Sequence, residues 1–245
     1  MNRLTTLYSS TIGKKFIAAV TGLILFGFLA GHVAGNLKVF TGASSNGVYH
    51  IDEYGQFLKE MGAPILPAGF GLWGARLVLL GAVVLHVIVV AQLALQSAEA
   101  RPVGYRVKKT AAASLAAKWM MVSGLTILGF VVFHILHFTT GTIDLGDFEH
   151  GAVYSNLSNS FAKWPVALGY VAVMVMLGFH LFHGIWSLFQ TLGLDNPDRN
   201  KALRGFAILA TVLIIGGFIA VPLAFMSGAM PAPEAYPHEL LTGGH

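Results

Sequence analysis

Four histidines lie deep within four successive apolar stretches of this chain: His32, His86, His134 and His180. An ionisable side chain is costly to place in a hydrocarbon layer, so each of these histidines is a candidate functional group. Neutral imidazole is the commonest metal ligand among side chains and also binds haem iron. One histidine on each of four helices predicts a pair of metal or haem sites built inside a helix bundle.

The composition places these histidines in a membrane protein. Of the 245 residues, 55% are hydrophobic and only 11% are charged, whereas about 25% charged is typical of soluble domains. Five apolar stretches are each long enough to cross the hydrocarbon layer as a helix. We therefore predict an all-α fold, in which a single integral membrane domain forms a bundle of five transmembrane helices. The predicted spans are residues 14–36, 71–96, 118–140, 165–192 and 205–226.

A secretory signal peptide is the alternative interpretation of the first apolar stretch. The apolar region of such a peptide is about 7–15 residues long and ends at a small-residue cleavage site. This stretch is longer, and His32 and Asn36 lie near its end, so we expect it to be retained as a membrane helix. In the connection that follows, residues 50–62 are predicted to form a short surface helix.

The basic residues set the predicted orientation. Eleven of the 15 Lys and Arg residues lie in the N-terminal segment and in the second and fourth connections or beside them. The other four are Lys38, Lys59, Arg76 and Lys163. Because cytoplasmic loops carry the excess of Lys and Arg, we predict a cytoplasmic N-terminus and an external C-terminus. We therefore attribute the formal net charge of +4 to loops of the chain at the membrane surface, where the expected partner is lipid and not nucleic acid.

The chain contains no cysteine. This excludes disulfides, Cys-ligated iron–sulfur clusters and covalent haem attachment through a C-x-x-C-H motif within the chain. Any haem must therefore be held non-covalently, by His or Met.

Helix geometry gives two of the histidines the same predicted depth. At a rise of 1.5 Å per residue, His32 lies roughly 25 Å beyond Lys15, measured from the cytoplasmic face. His134 lies roughly 24 Å beyond Lys118, measured from that same face. These two histidines are predicted to form an outer pair.

The other two histidines lie on helices that run in the opposite direction. The depth of His86 is measured along its helix from Trp73, and that of His180 from Pro165. Each histidine is predicted to lie roughly 20 Å from the outer face, and therefore nearer the cytoplasmic face. They are predicted to form an inner pair. Two imidazoles at matched depth on different helices have the arrangement needed to bind a flat macrocycle between them, and two such haems would carry electrons across the membrane.

Two further histidines, His137 and His183, each follow a candidate ligand by three residues, on nearly the same helix face. The two His-x-x-His patterns raise the alternative of non-haem iron or zinc. Such sites usually also use carboxylates or cysteines, and none lies nearby within these spans. We instead expect these two histidines to hydrogen-bond a haem propionate or a quinone, or to face water.

The glycines near the histidines have two interpretations. They would let a macrocycle lie close to the helix backbone, and they would equally allow the close helix–helix packing that is common in membranes. The glycines concerned are Gly27, Gly31, Gly35, Gly124, Gly129, Gly178 and Gly184.

Around the histidines, the chain resembles the cytochrome b subunit of succinate dehydrogenases and fumarate reductases, in its one-polypeptide, five-helix, dihaem type. The resemblance covers all five spans. It is carried by S-S-T-I-G-K-K…T-G…G-H-V-A-G-N (Ser9 to Asn36), S-G-L-T-I-L-G-F-V-V-F-H (Ser123 to His134) and H-L-F-H-G-I-W-S-L-F-Q-T-L-G (His180 to Gly193).

The resemblance implies which histidines bind haem iron. In that family the fourth-helix ligand precedes a Gly by four residues, with an aromatic residue two positions later, which selects His180 before Gly184 and Trp186. The third-helix ligand follows a small residue–Gly pair, which selects His134. His32 matches through Asn36, four residues on. His86 is the one histidine of the second span, and the family pairs the first helix with the third and the second with the fourth.

The resemblance also implies cofactors and partners. Such subunits bind two haem b groups and attach a flavoprotein subunit and an iron–sulfur subunit to the cytoplasmic face of the plasma (inner) membrane. FAD and the iron–sulfur clusters belong to those partner subunits. Electrons from succinate then reach the inner haem and a quinone, often menaquinone, and the complex can form a higher oligomer.

The quinone and propionate contacts have several candidates. Near the outer haem, Glu60 is a candidate for proton uptake or release, or is a solvated loop charge. The cytoplasmic candidates are equally consistent with basic and aromatic residues that anchor helices at the membrane surface. These candidates are Ser10, Lys14, Lys15, Lys118 and Trp119.

Two other functions remain open. One is a dihaem cytochrome b anchor of a different respiratory complex, such as a hydrogenase or formate dehydrogenase. The other is a haem-free transporter or assembly protein that uses its histidines as a proton relay. A haem spectrum of the purified protein distinguishes the second from the cytochromes.

Overall fold

The computed structural model describes residues 8–100 and 115–233, with the backbone alone for residues 115–118. These residues form seven α-helices and one short 3-10 helix, and no strand is present among them. The helices are α1 (Thr11–Asn36), α2 (His50–Glu60), α3 (Phe70–Glu99), α4 (Leu115–Phe138), α5 (Val153–Phe161), α6 (Trp164–Thr191) and α7 (Asn200–Met226), and the 3-10 helix is Leu37–Thr41. Five of these helices (α1, α3, α4, α6 and α7) are long and apolar enough to cross a membrane, which confirms the predicted all-α fold with five spans.

The helices differ from the predicted spans mainly at their ends. α3 continues to Glu99 and α7 begins at Asn200, because a helix can extend past its apolar stretch as long as its backbone hydrogen bonds continue. α4 instead ends at Phe138, and the N–H groups of Thr139 and Thr140 close its last turn on the Ile135 carbonyl, both at 3.0 Å.

Contacts between residues divide the chain into two compact units. The first unit comprises Met1–Leu29, Gly74–Met120 and Phe179–Thr211. The second unit comprises Ala30–Trp73, Met121–Gly178 and Val212–His245. The boundary between the units falls inside every one of the five spanning helices. Each unit therefore contains a segment of all five helices.

The short helices α2 and α5 contact one another in the core of the second unit. The rings of Tyr49 and Tyr154 stack with centroids 3.6 Å apart. The Asp52 side chain is fully buried and accepts a hydrogen bond from the Tyr154 backbone N–H at 3.0 Å. Burial raises the pKa of Tyr154, whose hydroxyl donates to the Pro231 carbonyl at 2.9 Å.

This arrangement corrects one detail of the sequence-based expectation. A helix does form within residues 50–62, but it is not a simple surface helix, because Ile51 and Asp52 are buried. The amide of α5 gives the Asp52 carboxylate a hydrogen bond that replaces water, which is the condition under which a carboxylate can be buried.

Two glycines of the second unit serve close packing. A Cβ at Gly35 would lie 2.6 Å from the Tyr54 ring, and a Cβ at Gly217 would lie 2.5 Å from the Val33 side chain. For Gly35, one of the glycines with two interpretations, the structure therefore shows helix packing.

Candidate metal centres

His32 on α1 and His134 on α4 face one another in the second unit. Their ring centroids are 6.0 Å apart and the ring planes cross at 84°. A metal–imidazole bond is about 2 Å long, so one iron bound between two imidazoles leaves the ring centroids roughly 6 Å apart. The observed separation fits axial ligation of one iron by this pair.

The hydrogen bonding of the pair also fits a ligand role. The Nδ1 atom of His134 is buried and has no hydrogen-bond partner among the described residues. Leaving a buried polar atom unsatisfied costs about 1–3 kcal/mol, so a ligand bound at Nδ1 itself would offset that cost, whereas one bound at Nε2 would not. In the described part of the chain, no three His, Cys, Asp or Glu side chains are grouped to hold a metal ion. Two axial imidazoles suit a haem, whose macrocycle supplies the other ligands.

Aromatic rings surround the outer pair. Phe218 of α7 lies 5.7 Å from the His32 ring, and Phe130 stacks on His134 at the same centroid distance. Tyr170 contacts His134 edge to face, with centroids 6.1 Å apart. These apolar rings fix the orientation of the two imidazoles by packing.

The inner pair, His86 on α3 and His180 on α6, lies in the first unit. The two rings lie near one another, and His183 lies near His180. The Nδ1 atom of His86 lies 3.0 Å from the Thr21 hydroxyl oxygen. The His180 ring forms a hydrogen bond with the Met120 backbone. Hydrogen bonds to α1 and α4 thus orient this pair.

The four histidines are divided between the two units in the same way as the depth calculation divides them. The outer pair belongs to the second unit and the inner pair to the first. Each pair draws its members from two different helices.

His137 has a different environment from the candidate ligand three residues before it. The residue is only 2% exposed. Its Nδ1 atom lies 2.8 Å from the Tyr170 hydroxyl, and its Nε2 atom lies 3.0 Å from the Ser160 hydroxyl. Protein side chains therefore occupy both ring nitrogens, and the expected propionate, quinone or water contact is replaced by Tyr170 and Ser160. His183, in the first unit, is half-buried.

A cavity of about 500 Å³ lies between α4 and α6 in the second unit. Its lining is almost wholly apolar, and two hydroxyl-bearing residues, Thr126 and Tyr170, contribute to it. The Thr126 hydroxyl already donates to the Val122 carbonyl at 2.9 Å. The lining residues are Thr126, Gly129, Phe130, Phe133, Leu145, Pro165, Val166, Gly169, Tyr170 and Val173.

A smaller cleft in the same unit is lined in part by His137, Ser160 and Asp144. Asp144 is exposed, and its carboxylate accepts hydrogen bonds from the Gly146 and Phe148 backbone N–H groups. These hydrogen bonds hold the pKa of Asp144 below its usual range, and the bond from Gly146 has the larger effect. The cleft therefore places a carboxylate beside the buried His137 and Ser160 side chains.

The remaining candidates lie at helix ends. The Ser10 hydroxyl accepts a hydrogen bond from the Gly13 N–H at 3.0 Å and so caps α1. Lys14 is buried, with its ammonium 6.0 Å from the Tyr8 ring centroid. Lys15 and Trp119 are exposed. The Lys118 side chain lies outside what the structure describes.

All five of these helix-end candidates belong to the first unit, with the inner pair. Glu60 is the exposed last residue of α2, in the second unit with the outer pair.

Four of the remaining glycines have open surroundings. An added Cβ would meet no atom within 4 Å at Gly27, Gly31, Gly129 or Gly184. The space beside these backbones can accept a macrocycle edge or lipid chains, so both interpretations stand for them.

Sequence reasoning did not assign roles to Thr21, Ser160 and Tyr170. Thr21 and Gly22 were visible as the T-G pair in the first-helix motif. No local pattern links them to His86, which is 65 residues from Thr21.

Part of the chain matches a known protein family. Residues 101–219 match the family described as the succinate dehydrogenase/fumarate reductase transmembrane subunit. The matched stretch contains His134 and His180 but neither His32 nor His86. The chain has no significant match among curated proteins or among solved structures.

Proposed function

We propose that the chain is the dihaem cytochrome b subunit of a succinate dehydrogenase or fumarate reductase complex. Support comes from residues 101–219, which match the succinate dehydrogenase/fumarate reductase transmembrane subunit family. It would pass electrons between an iron–sulfur subunit and a quinone, with menaquinone as the expected type. The observation that carries the haem assignment is the facing of His32 and His134, with ring centroids 6.0 Å apart; the second haem is proposed at His86 and His180, which lie together in the first unit.

We assign one haem b to each histidine pair. His32 and His134 would bind the outer haem, and His86 and His180 the inner haem. Each bound haem supplies a one-electron carrier. The protein residues hold the imidazoles in place, through aromatic packing in the second unit and through hydrogen bonds in the first.

The partners follow from the family and from the charge distribution. The Lys- and Arg-rich side would face the cytoplasm and bind the flavoprotein and iron–sulfur subunits, which carry FAD and the clusters. The location would then be the plasma (inner) membrane, with several helices crossing it. The buried Lys14 and the exposed Lys15 lie in the same unit as His86 and His180, so they are suited to pair with propionates of the inner haem.

We place a quinone headgroup in the cavity between α4 and α6. Its volume of about 500 Å³ lies within the range of roughly 300–1,000 Å³ that is usual for ligand sites. Its apolar lining suits a ring with an isoprenoid tail. Tyr170 both lines the cavity and contacts His134, so a quinone there would be near the outer haem.

The hydrogen bonds of His137 leave one hydrogen for such a ligand. With a neutral imidazole, Ser160, His137 and Tyr170 carry three polar hydrogens but share two hydrogen bonds. The third hydrogen is therefore available either at Tyr170, which lines the cavity, or at Ser160, which lines the cleft beside Asp144. In the first arrangement the Tyr170 hydroxyl can donate to a quinone carbonyl.

Haem content and the reduced-minus-oxidised spectrum of the purified protein test the proposed function. We expect two non-covalent haem b groups per chain and a low-spin spectrum typical of two axial histidines. One haem per chain would show that one of the pairs is wrongly assigned. A folded protein without haem, produced with adequate haem supply, would overturn the cytochrome assignment and favour a transporter.

A further inference from the structure

We propose that Thr21 is a positioning residue for the inner haem. The geometry points to a hydrogen bond from His86 Nδ1 to the Thr21 hydroxyl oxygen that leaves His86 Nε2 as the iron ligand. This inference rests on the proposed dihaem function.

The direction of this hydrogen bond follows from the other partners of Thr21. Its hydroxyl oxygen lies 2.8 Å from the Ile17 carbonyl and 3.2 Å from the Ala18 carbonyl. A carbonyl can only accept, so the hydroxyl hydrogen is directed to the α1 backbone. The oxygen must then act as the acceptor toward His86 Nδ1, which lies 3.0 Å away. His86 therefore carries its hydrogen on Nδ1.

A second contact of the ring supports the same assignment. The His86 ring also hydrogen-bonds the backbone of Ala18, one turn before Thr21 on α1. A ring nitrogen can bond a backbone carbonyl only as a donor. Both α1 contacts of the ring thus require an N–H. A neutral imidazole has one such hydrogen, and with that hydrogen on Nδ1 the lone pair of Nε2 remains for a metal.

Burial makes the interaction effective. Thr21 is only 5% exposed, so water competes little for its hydroxyl. The ring also lies beside the next residue, Gly22, where an added Cβ would be in ordinary van der Waals contact with His86 Cε1, at 3.5 Å. The T-G pair of α1 therefore supplies both a hydrogen-bond acceptor and a surface for the imidazole.

The chemical consequence concerns the basicity of the ligand. A hydrogen bond from the second ring nitrogen fixes the tautomer and makes a metal-binding imidazole more electron-rich. A more electron-rich ligand favours the ferric state, so loss of this hydrogen bond should raise the reduction potential of the inner haem. Loss of such a partner typically weakens metal affinity by about 10–100-fold.

The test compares Thr21→Val, which keeps the shape but removes the hydroxyl, with Thr21→Ser, which keeps the hydroxyl. Both are made in the full chain within its complex, and haem content, redox titration and electron paramagnetic resonance are recorded. Thr211→Val is the matched control, because the Thr211 hydroxyl has no hydrogen-bond partner among the described residues.

We expect Thr21→Val to raise the potential of one haem only, to change its ferric spectrum and to weaken its retention by about 10–100-fold. Thr21→Ser and Thr211→Val should behave like the parent. The proposal is overturned if Thr21→Val and Thr21→Ser leave both potentials and spectra unchanged. It is also overturned if Thr21→Val removes both haems, since the hydroxyl would then serve general packing.

Failure of this inference can be told apart from failure of the proposed function. A parent chain with two haems whose potentials do not respond at Thr21 refutes the positioning role alone. A folded parent chain without haem refutes the dihaem function itself.

Discussion

The two histidine pairs are held in place by different interactions. In the first unit, His86 is bonded to Thr21 and His180 to the Met120 backbone. In the second unit, His134 has a buried Nδ1 without a hydrogen-bond partner among the described residues, and Phe130 and Phe218 pack on the two rings. The contacts described for the inner pair are mainly hydrogen bonds, and those described for the outer pair are mainly aromatic packing.

This difference shows that a ligand of one chemical type can be oriented in two ways. A hydrogen-bond partner fixes the tautomer of an imidazole and changes its electron density. An aromatic ring packed against an imidazole fixes only the orientation of that imidazole. The two proposed haems should therefore respond to different substitutions. Hydroxyl removal should affect the inner haem, and removal of aromatic rings should affect the outer one.

The largest effect is expected from the ligands themselves. Alanine at His32 or His134 should each remove the same haem, and alanine at His86 or His180 should each remove the other, because each iron would lose an axial bond. Haem content should fall from two to one per chain, and the spectra of the two variants within each pair should coincide.

Two controls belong with this experiment. Alanine at His183 should leave both haems bound, since its neighbour His180 is the proposed ligand. If the His32 and His86 variants lost the same haem, the assignment of pairs to units would be wrong.

A smaller effect is expected from removing an aromatic ring beside the outer pair. Phe218 is buried and lies 5.7 Å from the His32 ring. Replacing it by alanine should destabilise the protein by about 3–5 kcal/mol through lost packing and change the ferric spectrum of the outer haem alone. Thermal unfolding in detergent and electron paramagnetic resonance measure the two effects.

Phe206, on the same helix, provides the control. It is 49% exposed and its ring partner is Phe189, at 5.9 Å. Phe206→Ala should leave both haem spectra unchanged. Equal spectral changes in the two variants would show that aromatic packing does not orient the outer pair specifically.

The spans and the fold were predictable because hydropathy acts locally. An apolar stretch of the required length forms a membrane helix whatever its neighbours are. The sorting of histidines by depth needed only the helix rise, and the two compact units divide the four histidines in the same way.

The contacts around the histidines were not predictable, because they join distant segments. Thr21 and His86 are 65 residues apart, and Tyr170 lies 33 residues from His137. Asp52 had the sequence features of a solvated surface residue, yet its backbone partner Tyr154 lies 102 residues away. Which hydroxyl meets which imidazole depends on how the helices pack and rotate, and no periodic pattern specifies that.

The smallest effect is expected from a substitution at the proposed quinone site. This site lies in the second unit, which also contains the outer histidine pair. Gly169 lines the cavity, and an added Cβ there would meet no atom within 4 Å. Gly169→Leu should therefore fold normally but fill part of the cavity. The KM for quinone should rise about tenfold, which corresponds to roughly 1.4 kcal/mol, and haem content should not change. Gly81→Leu is the control, because Gly81 is also free of contacts within 4 Å and lies in the first unit.

Two hydroxyl deletions sharpen this test, because both Tyr170→Phe and Ser160→Ala remove one hydrogen bond of His137. Their structural costs should be similar, at about 1–3 kcal/mol each. Since only Tyr170 lines the cavity, only Tyr170→Phe should raise the quinone KM if its hydroxyl donates to the ligand. Equal KM changes in the two variants would mean that the hydroxyls act through His137 alone, and an unchanged KM in Gly169→Leu would move the quinone out of this cavity.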